Sequence, residues 1–193
     1  MNWGYDLSSS TYGPEAIATP ANLITLVRTL ATPLMVLMIL NRYNAWLVSA
    51  LWLVLALTDG ADGWIARRQG ATRSGAFLDP LADKVMVFGV LGVLIYQGRV
   101  PYVPVLLMGA REIAISIYRG AVAAKGISVP ARWLGKWKMI VQLLAIWVVL
   151  IPIMSSYKGV LVPTLIWIAT ALALASGVQY YFDAVARGRT TSP

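Results

Sequence analysis

The 193-residue chain contains no cysteine and no histidine, and only eight of its residues are acidic. Without cysteine there is no thiolate nucleophile, no thiolate metal site and no disulfide. Without histidine there is no Ser-His-Asp triad, no imidazole-ligated metal and no phosphohistidine intermediate. Any catalysis must use carboxylates, hydroxyls, Lys, Arg and metal ions. Charge of either sign is scarce at 12% of residues, whereas 59% are hydrophobic and the mean hydropathy is +0.70. That composition is that of a membrane protein. Six crossings at roughly 20 residues each leave short loops and no room for a separate soluble domain.

The net charge of +8 comes from 16 Lys and Arg against 8 Asp and Glu. In a soluble protein such an excess raises nucleic-acid binding; in a membrane protein, cations gathered on one side of the bilayer explain it, and no nucleic-acid partner is expected. Residues 1-19 hold Asp6 and Glu15 but no Lys or Arg, unlike a signal peptide, and Trp3, Tyr5 and Tyr12 suit an N-terminal interfacial segment. Thr19-Pro20 offers an N-cap and a first-turn proline. The spacing of apolar residues predicts six helices: Ala21 to about Leu40, Ala45 through Ala56 and onward, Gly75 to Tyr96, Pro101 to Ala124, Trp133 to Ile151, and Val160 to Phe182.

The expected fold is therefore all-α: a polytopic six-helix transmembrane domain over 20-183, preceded by the juxtamembrane segment and followed by a cytoplasmic tail, 184-193. The second-to-third connection, the fourth-to-fifth connection and the tail, with the helix ends beside them, hold Arg67, Arg68, Arg73, Lys84, Arg119, Lys125, Arg132, Lys136, Lys138, Arg187 and Arg189, against Arg42, Arg99 and Lys158 on the other face. The positive-inside rule then places both termini and those two loops in the cytoplasm, with the chain in the plasma (inner) membrane.

Four of the eight acidic residues fall between positions 59 and 83. On a helix, Asp59, Asp62, Gly63 and Ala66 share one face at i, i+3, i+4 and i+7, and Gly75, Asp79 and Asp83 share another at i, i+4 and i+8. Two neighbouring helices would converge four carboxylates, which repel one another unless cations join them. Oxygen donors without His or Cys suit hard divalent ions such as Mg²⁺, Mn²⁺ or Ca²⁺, and two of them would neutralise the four charges. Small residues beside the cluster leave room for a ligand. Pro80 threatens the continuity of the third helix between Asp79 and Asp83.

The pattern D-x2-D-G-x2-A-R followed by G-x3-D-x3-D, carried by Asp59, Asp62, Gly63, Ala66, Arg67, Gly75, Asp79 and Asp83, resembles the signature of the CDP-alcohol phosphotransferase family. The resemblance implies a six-helix membrane enzyme that transfers a phosphatidyl or related group from a CDP-linked donor to an alcohol and releases CMP. It implies that Asp59, Asp62, Asp79 and Asp83 bind two divalent cations, Mg²⁺ or Mn²⁺, that Asp83 also serves as general base, and that Gly63, Ala66, Arg67 and Gly75 line the CDP site. Dimerisation is common in the family, so a homodimer is expected.

The runs Ala110-Arg111-Glu112-Ile113, Gly135-Lys136-Trp137-Lys138 with Gln142, and Pro20-Ala21-Asn22-Leu23-Ile24-Thr25-Leu26-Val27-Arg28 are similar to segments of the bacterial phosphatidylglycerophosphate synthase branch. The likeness implies CDP-diacylglycerol as donor and sn-glycerol 3-phosphate as acceptor. Arg111, Arg119, Lys136 and Lys138 are the candidate ligands of the acceptor phosphate, with snorkelling toward the cytoplasm as the plain alternative for such cations. Arg111, in the middle of an apolar segment, needs a partner or a polar cavity. Asn22, Thr25 and Arg28 lie near one surface of the first helix, suited to the donor phosphates or to a helix cap and a core contact. Inositol phosphate or phosphatidylglycerol as acceptor would use the same chemistry, and an ion-coupled transporter or a structural scaffold are readings of another class. Clustering of the aspartates at one face and the lack of an inverted repeat argue against transport. The small residues Ala169, Ala171, Ala173, Ala175, Ser176 and Gly177 of the sixth helix suit packing against a partner or within the bundle.

Overall fold

The computed structural model describes residues 20–69, 73–123, 133–153 and 158–190, with side chains for all of these except 20–22, 59–69, 73–80, 123, 158, 181 and 183–190. The expected segment 1-19 lies outside the described residues. Six helices follow in order: α1 (Pro20–Leu40), α2 (Ala45–Gln69), α3 (Arg73–Tyr96), α4 (Tyr102–Ala123), α5 (Trp133–Leu150) and α6 (Lys158–Thr190). Three of them hold stretches long and apolar enough to cross a membrane: Leu23–Leu40, Trp133–Leu150 and Gly159–Tyr180. The apolar part of α2, Ala45–Thr58, is shorter.

Which faces are buried says as much as the lengths. On α1 the outward stripe is Leu23, Leu26, Leu30, Leu34 and Leu37, each more than half exposed, while Thr25, Arg28 and Thr32 are buried. A water-soluble helix shows the reverse arrangement. Apolar outside and polar inside fits a helix solvated by lipid, where polar groups find partners only within the protein.

The chain divides into two compact units, Met1–Leu94 with Leu150–Pro152, and Ile95–Val149 with Ile153–Pro193. In the first, α1 packs on α2. The turn between them has a local cause. Arg42 takes a left-handed φ of 52°, its N–H donates to the Ile39 carbonyl at 3.1 Å, and the Tyr43 N–H donates to Met38 at 2.9 Å; this pair of bonds closes α1 as a Schellman motif. Asn44 Oδ1 then accepts from the N–H groups of Trp46 and Leu47 at 3.0 and 3.3 Å, capping α2. Against α1, α3 comes close at Gly89, where an added Cβ would stand 3.7 Å from Thr32 Cγ2 and 3.8 Å from Val36 Cγ2.

In the second unit α4 packs on α6, and the buried Thr170 hydroxyl reaches the carbonyls of Ile166 at 2.8 Å and Pro104 at 3.3 Å. Arg99, in the turn after α3, donates to the carbonyl of Val149 in the last turn of α5, placing a cation on the negative end of that helix.

Two features differ from the sequence expectation. The backbone of α3 is helical through Pro80, so the proline does not separate Asp79 from Asp83; a membrane helix tolerates the lost N–H where other groups re-satisfy the freed carbonyl. And α6 runs to Thr190, about 50 Å of helix, so most of the segment 184-193 continues it. Apolar content falls after Phe182, but nothing in Asp183-Ala184-Val185-Ala186-Arg187 breaks a helix.

Candidate active site

Two groups of chemistry-bearing residues stand out, one in each unit. In the first unit the helical backbone of α2 extends through Asp59 and Asp62 to Gln69, and that of α3 includes Gly75, Asp79 and Asp83. The register therefore has the 3.6-residue period on which the shared faces of Asp59, Asp62, Gly63 and Ala66, and of Gly75, Asp79 and Asp83, depend. The side chains of Asn22, Asp59, Asp62, Arg67 and Asp79 lie outside the described residues. Among the described residues no group of three or more acidic side chains gathers as a metal site.

Asp83 is described, and it has a partner that sequence spacing did not announce. Arg28 Nη1 of α1 donates to Asp83 Oδ1 of α3, with 1% of the Arg28 side chain exposed and 23% of that of Asp83. The cation is thus sealed inside the unit while the Asp83 side chain stays partly exposed. Thr25 is buried one turn before Arg28, and the Thr32 hydroxyl donates to the Arg28 carbonyl at 2.9 Å. The face of α1 named for donor phosphates is turned inward, and its cation is engaged with the aspartate motif. Oxygen-only donors of the aspartate type suit hard divalent cations; of the four aspartates, Asp83 alone has a described side chain, and it is partly exposed.

In the second unit, Arg111 and Lys138 meet at one carboxylate. Arg111 Nη1 donates to Glu112 Oε1 at 2.5 Å, and Lys138 Nζ donates to the same oxygen. The three side chains are 9%, 11% and 15% exposed for Arg111, Lys138 and Glu112. Among the described residues, two cations share this one anion, and a surplus of positive charge is costly to bury and attractive to an anion. From α6, Ser176 Oγ accepts from Arg111 Nη2 at 2.7 Å, and the Tyr180 ring centroid lies 5.9 Å from the guanidinium carbon, within cation–π range. Gln142, one turn beyond Lys138 on α5, is 4% exposed; its Nε2, like Arg111 Nε, is buried and has no hydrogen-bond partner among the described residues.

Arg119 and Lys136 are exposed and stand outside this cluster. Helix geometry explains Lys136: two positions from Lys138 it is turned by about 200°, onto the exposed stripe of Trp133, Trp137 and Ile140. The sequence reading missed Ser176, Gly177 and Tyr180 as parts of the cluster. The available signal was Arg111 itself, since a mid-helix cation needs polar partners and few helices offer any. Of the small residues on α6, Ala169, Ala173 and Ser176 are buried within their own unit, whereas Ala171 and Ala175 are exposed.

The pattern of the CDP-alcohol phosphatidyltransferase family matches residues 18–177, which include both groups. Among curated proteins, a probable phosphatidylglycerophosphate synthase of Mycobacterium tuberculosis (strain H37Rv) is 34% identical over 177 residues, covering 87% of this chain and 82% of the relative. A CDP-diacylglycerol–glycerol-3-phosphate 3-phosphatidyltransferase of Salmonella choleraesuis is 40% identical over 169 residues, 82% of this chain and 90% of the relative. A protein of the same description from Rickettsia bellii is 34% identical over 166 residues, 83% and 92% of the two chains.

Proposed function

Because the chain belongs to the CDP-alcohol phosphatidyltransferase family, we propose that it transfers the phosphatidyl group of CDP-diacylglycerol to sn-glycerol 3-phosphate, giving phosphatidylglycerophosphate and CMP. The observation that carries the reading is the helical register of Asp59, Asp62, Asp79 and Asp83 on α2 and α3. The names of the similar proteins above support the choice of donor and acceptor.

Asp83 is the general base. Its partly open carboxylate accepts the proton of the C1 hydroxyl of glycerol 3-phosphate; the freed oxygen bonds to the phosphorus that carries diacylglycerol, and the bond from that phosphorus to CMP breaks, the electron pair leaving with CMP. Arg28 holds Asp83 in place from the buried side. Asp59, Asp62, Asp79 and Asp83 would hold two divalent cations, Mg²⁺ or Mn²⁺, which supply charge neutralisation for the donor's pyrophosphate. Asn22, Thr25, Gly63, Ala66, Arg67 and Gly75 bind the CDP part of the donor. Arg111 and Lys138, held on Glu112, bind the acceptor's phosphate, and the exposed Arg119 and Lys136 draw the anion in by long-range attraction.

The catalytic domain is residues 20–183, with six crossings, the termini and the site on the cytoplasmic side of the plasma membrane; the cation asymmetry supports this orientation. The chain works as a homodimer, for which the exposed Ala171 and Ala175, one turn apart on α6, offer a close-packing surface in lipid.

The substrate assignment is tested by competition. Purified protein in detergent receives CDP-diacylglycerol, Mg²⁺ and equal concentrations of glycerol 3-phosphate, inositol phosphate and phosphatidylglycerol, and the lipid products are identified by mass. Phosphatidylglycerophosphate is expected in about 100-fold excess over the others, because a site that pairs polar groups of one substrate rejects those that leave them unpaired. A dominant inositol-phosphate or cardiolipin product would retain the chemistry and overturn the acceptor.

A further inference from the structure

We propose that α6 is the positioning element of the acceptor site: Ser176 fixes the guanidinium of Arg111 so that its Nε, which the described residues leave unpartnered, serves the phosphate monoester of the acceptor. The inference rests on the reading of Arg111 as a ligand of that phosphate.

An arginine side chain has several rotatable bonds, and its value as a phosphate ligand depends on holding the planar fork in one orientation. Glu112 alone does not do this. It is the next residue on the same helix, and adjacent positions diverge by about 100°, so the Nη1 contact at 2.5 Å leaves the guanidinium plane free to turn about it. A second anchor on another helix removes that freedom. Ser176 provides it, with Oγ accepting from Nη2 at 2.7 Å, and Ser176 is itself 0% exposed. Tyr180, one turn further on α6, places its ring 5.9 Å from the guanidinium carbon. Gly177 lies against the same side chain: a Cβ there would stand 3.4 Å from Arg111 Cγ and 3.6 Å from Nε, in ordinary van der Waals contact.

With Nη1 and Nη2 engaged by protein, Nε is a buried donor with no partner among the described residues. An unpartnered donor of that kind is costly and calls for an explanation. The cradle supplies one, since the atom left unpaired is the one an incoming phosphate oxygen would satisfy. Lys138 shares the Glu112 oxygen and brings the second cation to the same point.

A phosphate could come from the free acceptor or from the lipid-linked pyrophosphate, and kinetics separate them. In the purified full chain with Mg²⁺, glycerol 3-phosphate is varied at saturating CDP-diacylglycerol, and then the reverse. Ser176→Ala removes a hydrogen bond to a charged group and should raise the KM for glycerol 3-phosphate about fivefold to tenfold, with kcat and the KM for CDP-diacylglycerol within about twofold of the unchanged protein. Ser176→Thr keeps the hydroxyl and should restore the acceptor KM. An unchanged acceptor KM in Ser176→Ala, a fall in kcat alone, or a rise confined to the CDP-diacylglycerol KM would each overturn the assignment. Arg111→Met separates the two levels of the argument. If it raises the acceptor KM while Ser176→Ala does not, only the role of α6 fails; if it leaves the acceptor KM unchanged, the reading of Arg111 fails and the role of α6 with it.

Discussion

Replacing Asp83 by Asn is expected to lower the rate of CMP release about 10²- to 10⁴-fold, the range that a positioned general base contributes. The substitution keeps size and shape and removes the capacity to accept a proton. A carboxylate is a weak base at its reference pKa of about 4, so its contribution depends on being held where the acceptor hydroxyl arrives. Arg28 does the holding: its buried guanidinium donates to Oδ1, while about a quarter of the Asp83 side chain stays exposed, at 23%. In Asp83→Asn the buried cation faces a neutral amide, which also costs stability. Thermal unfolding measured on the same samples separates the two effects. The account requires that the loss of rate persist in protein that remains folded at the assay temperature. A rate within about tenfold of the unchanged protein, below the range for general acid–base catalysis, would show that another group takes the proton.

The second large effect is on folding. Glu112→Gln should destabilise the chain by about 3–5 kcal/mol, as expected when one member of a buried ion cluster is removed and its partners remain charged. Glu112 accepts from both Arg111 and Lys138, so the change removes the one anion that the two cations share among the described residues, in a buried setting that solvates cations poorly. Restoring the balance tests the cause. Lys138→Met in the Glu112→Gln background removes one excess cation and should recover a large part of the lost thermal stability, so the two substitutions will not be additive. Strict additivity would mean that Glu112 and Lys138 do not share one electrostatic cluster.

Much of this was legible in the residues. Apolar runs and their punctuation placed all six helices with most ends within two residues, and the pattern of Asp59, Asp62, Asp79 and Asp83 pointed to the family to which the chain belongs. Local signals served well because both rest on the period of a single helix. Pairings between helices were not legible. Arg28 and Asp83 lie 55 positions apart and Arg111 and Ser176 lie 65 apart, and helical period reports which residues share a face without reporting what that face meets. Lys136 and Lys138 look equivalent as neighbours in sequence, yet a rotation of about 200° puts one on the exposed stripe and the other on Glu112. The continuation of α6 to Thr190 was missed for a related reason: hydropathy marks where lipid ends, and a helix does not have to end there. Ser176 and Gly177 passed as packing residues because small residues on an apolar helix usually are, and Tyr180 carried no signal of its own.

Phosphatidyl transfer to glycerol 3-phosphate has a product stoichiometry that sets it apart from hydrolysis of the donor. Purified protein with CDP-diacylglycerol, glycerol 3-phosphate and Mg²⁺ should form CMP and phosphatidylglycerophosphate in equal amounts, and neither should form when the acceptor or the metal ion is withheld. CMP released at the same rate without glycerol 3-phosphate, accompanied by phosphatidic acid, would make the protein a hydrolase of the donor and contradict the account.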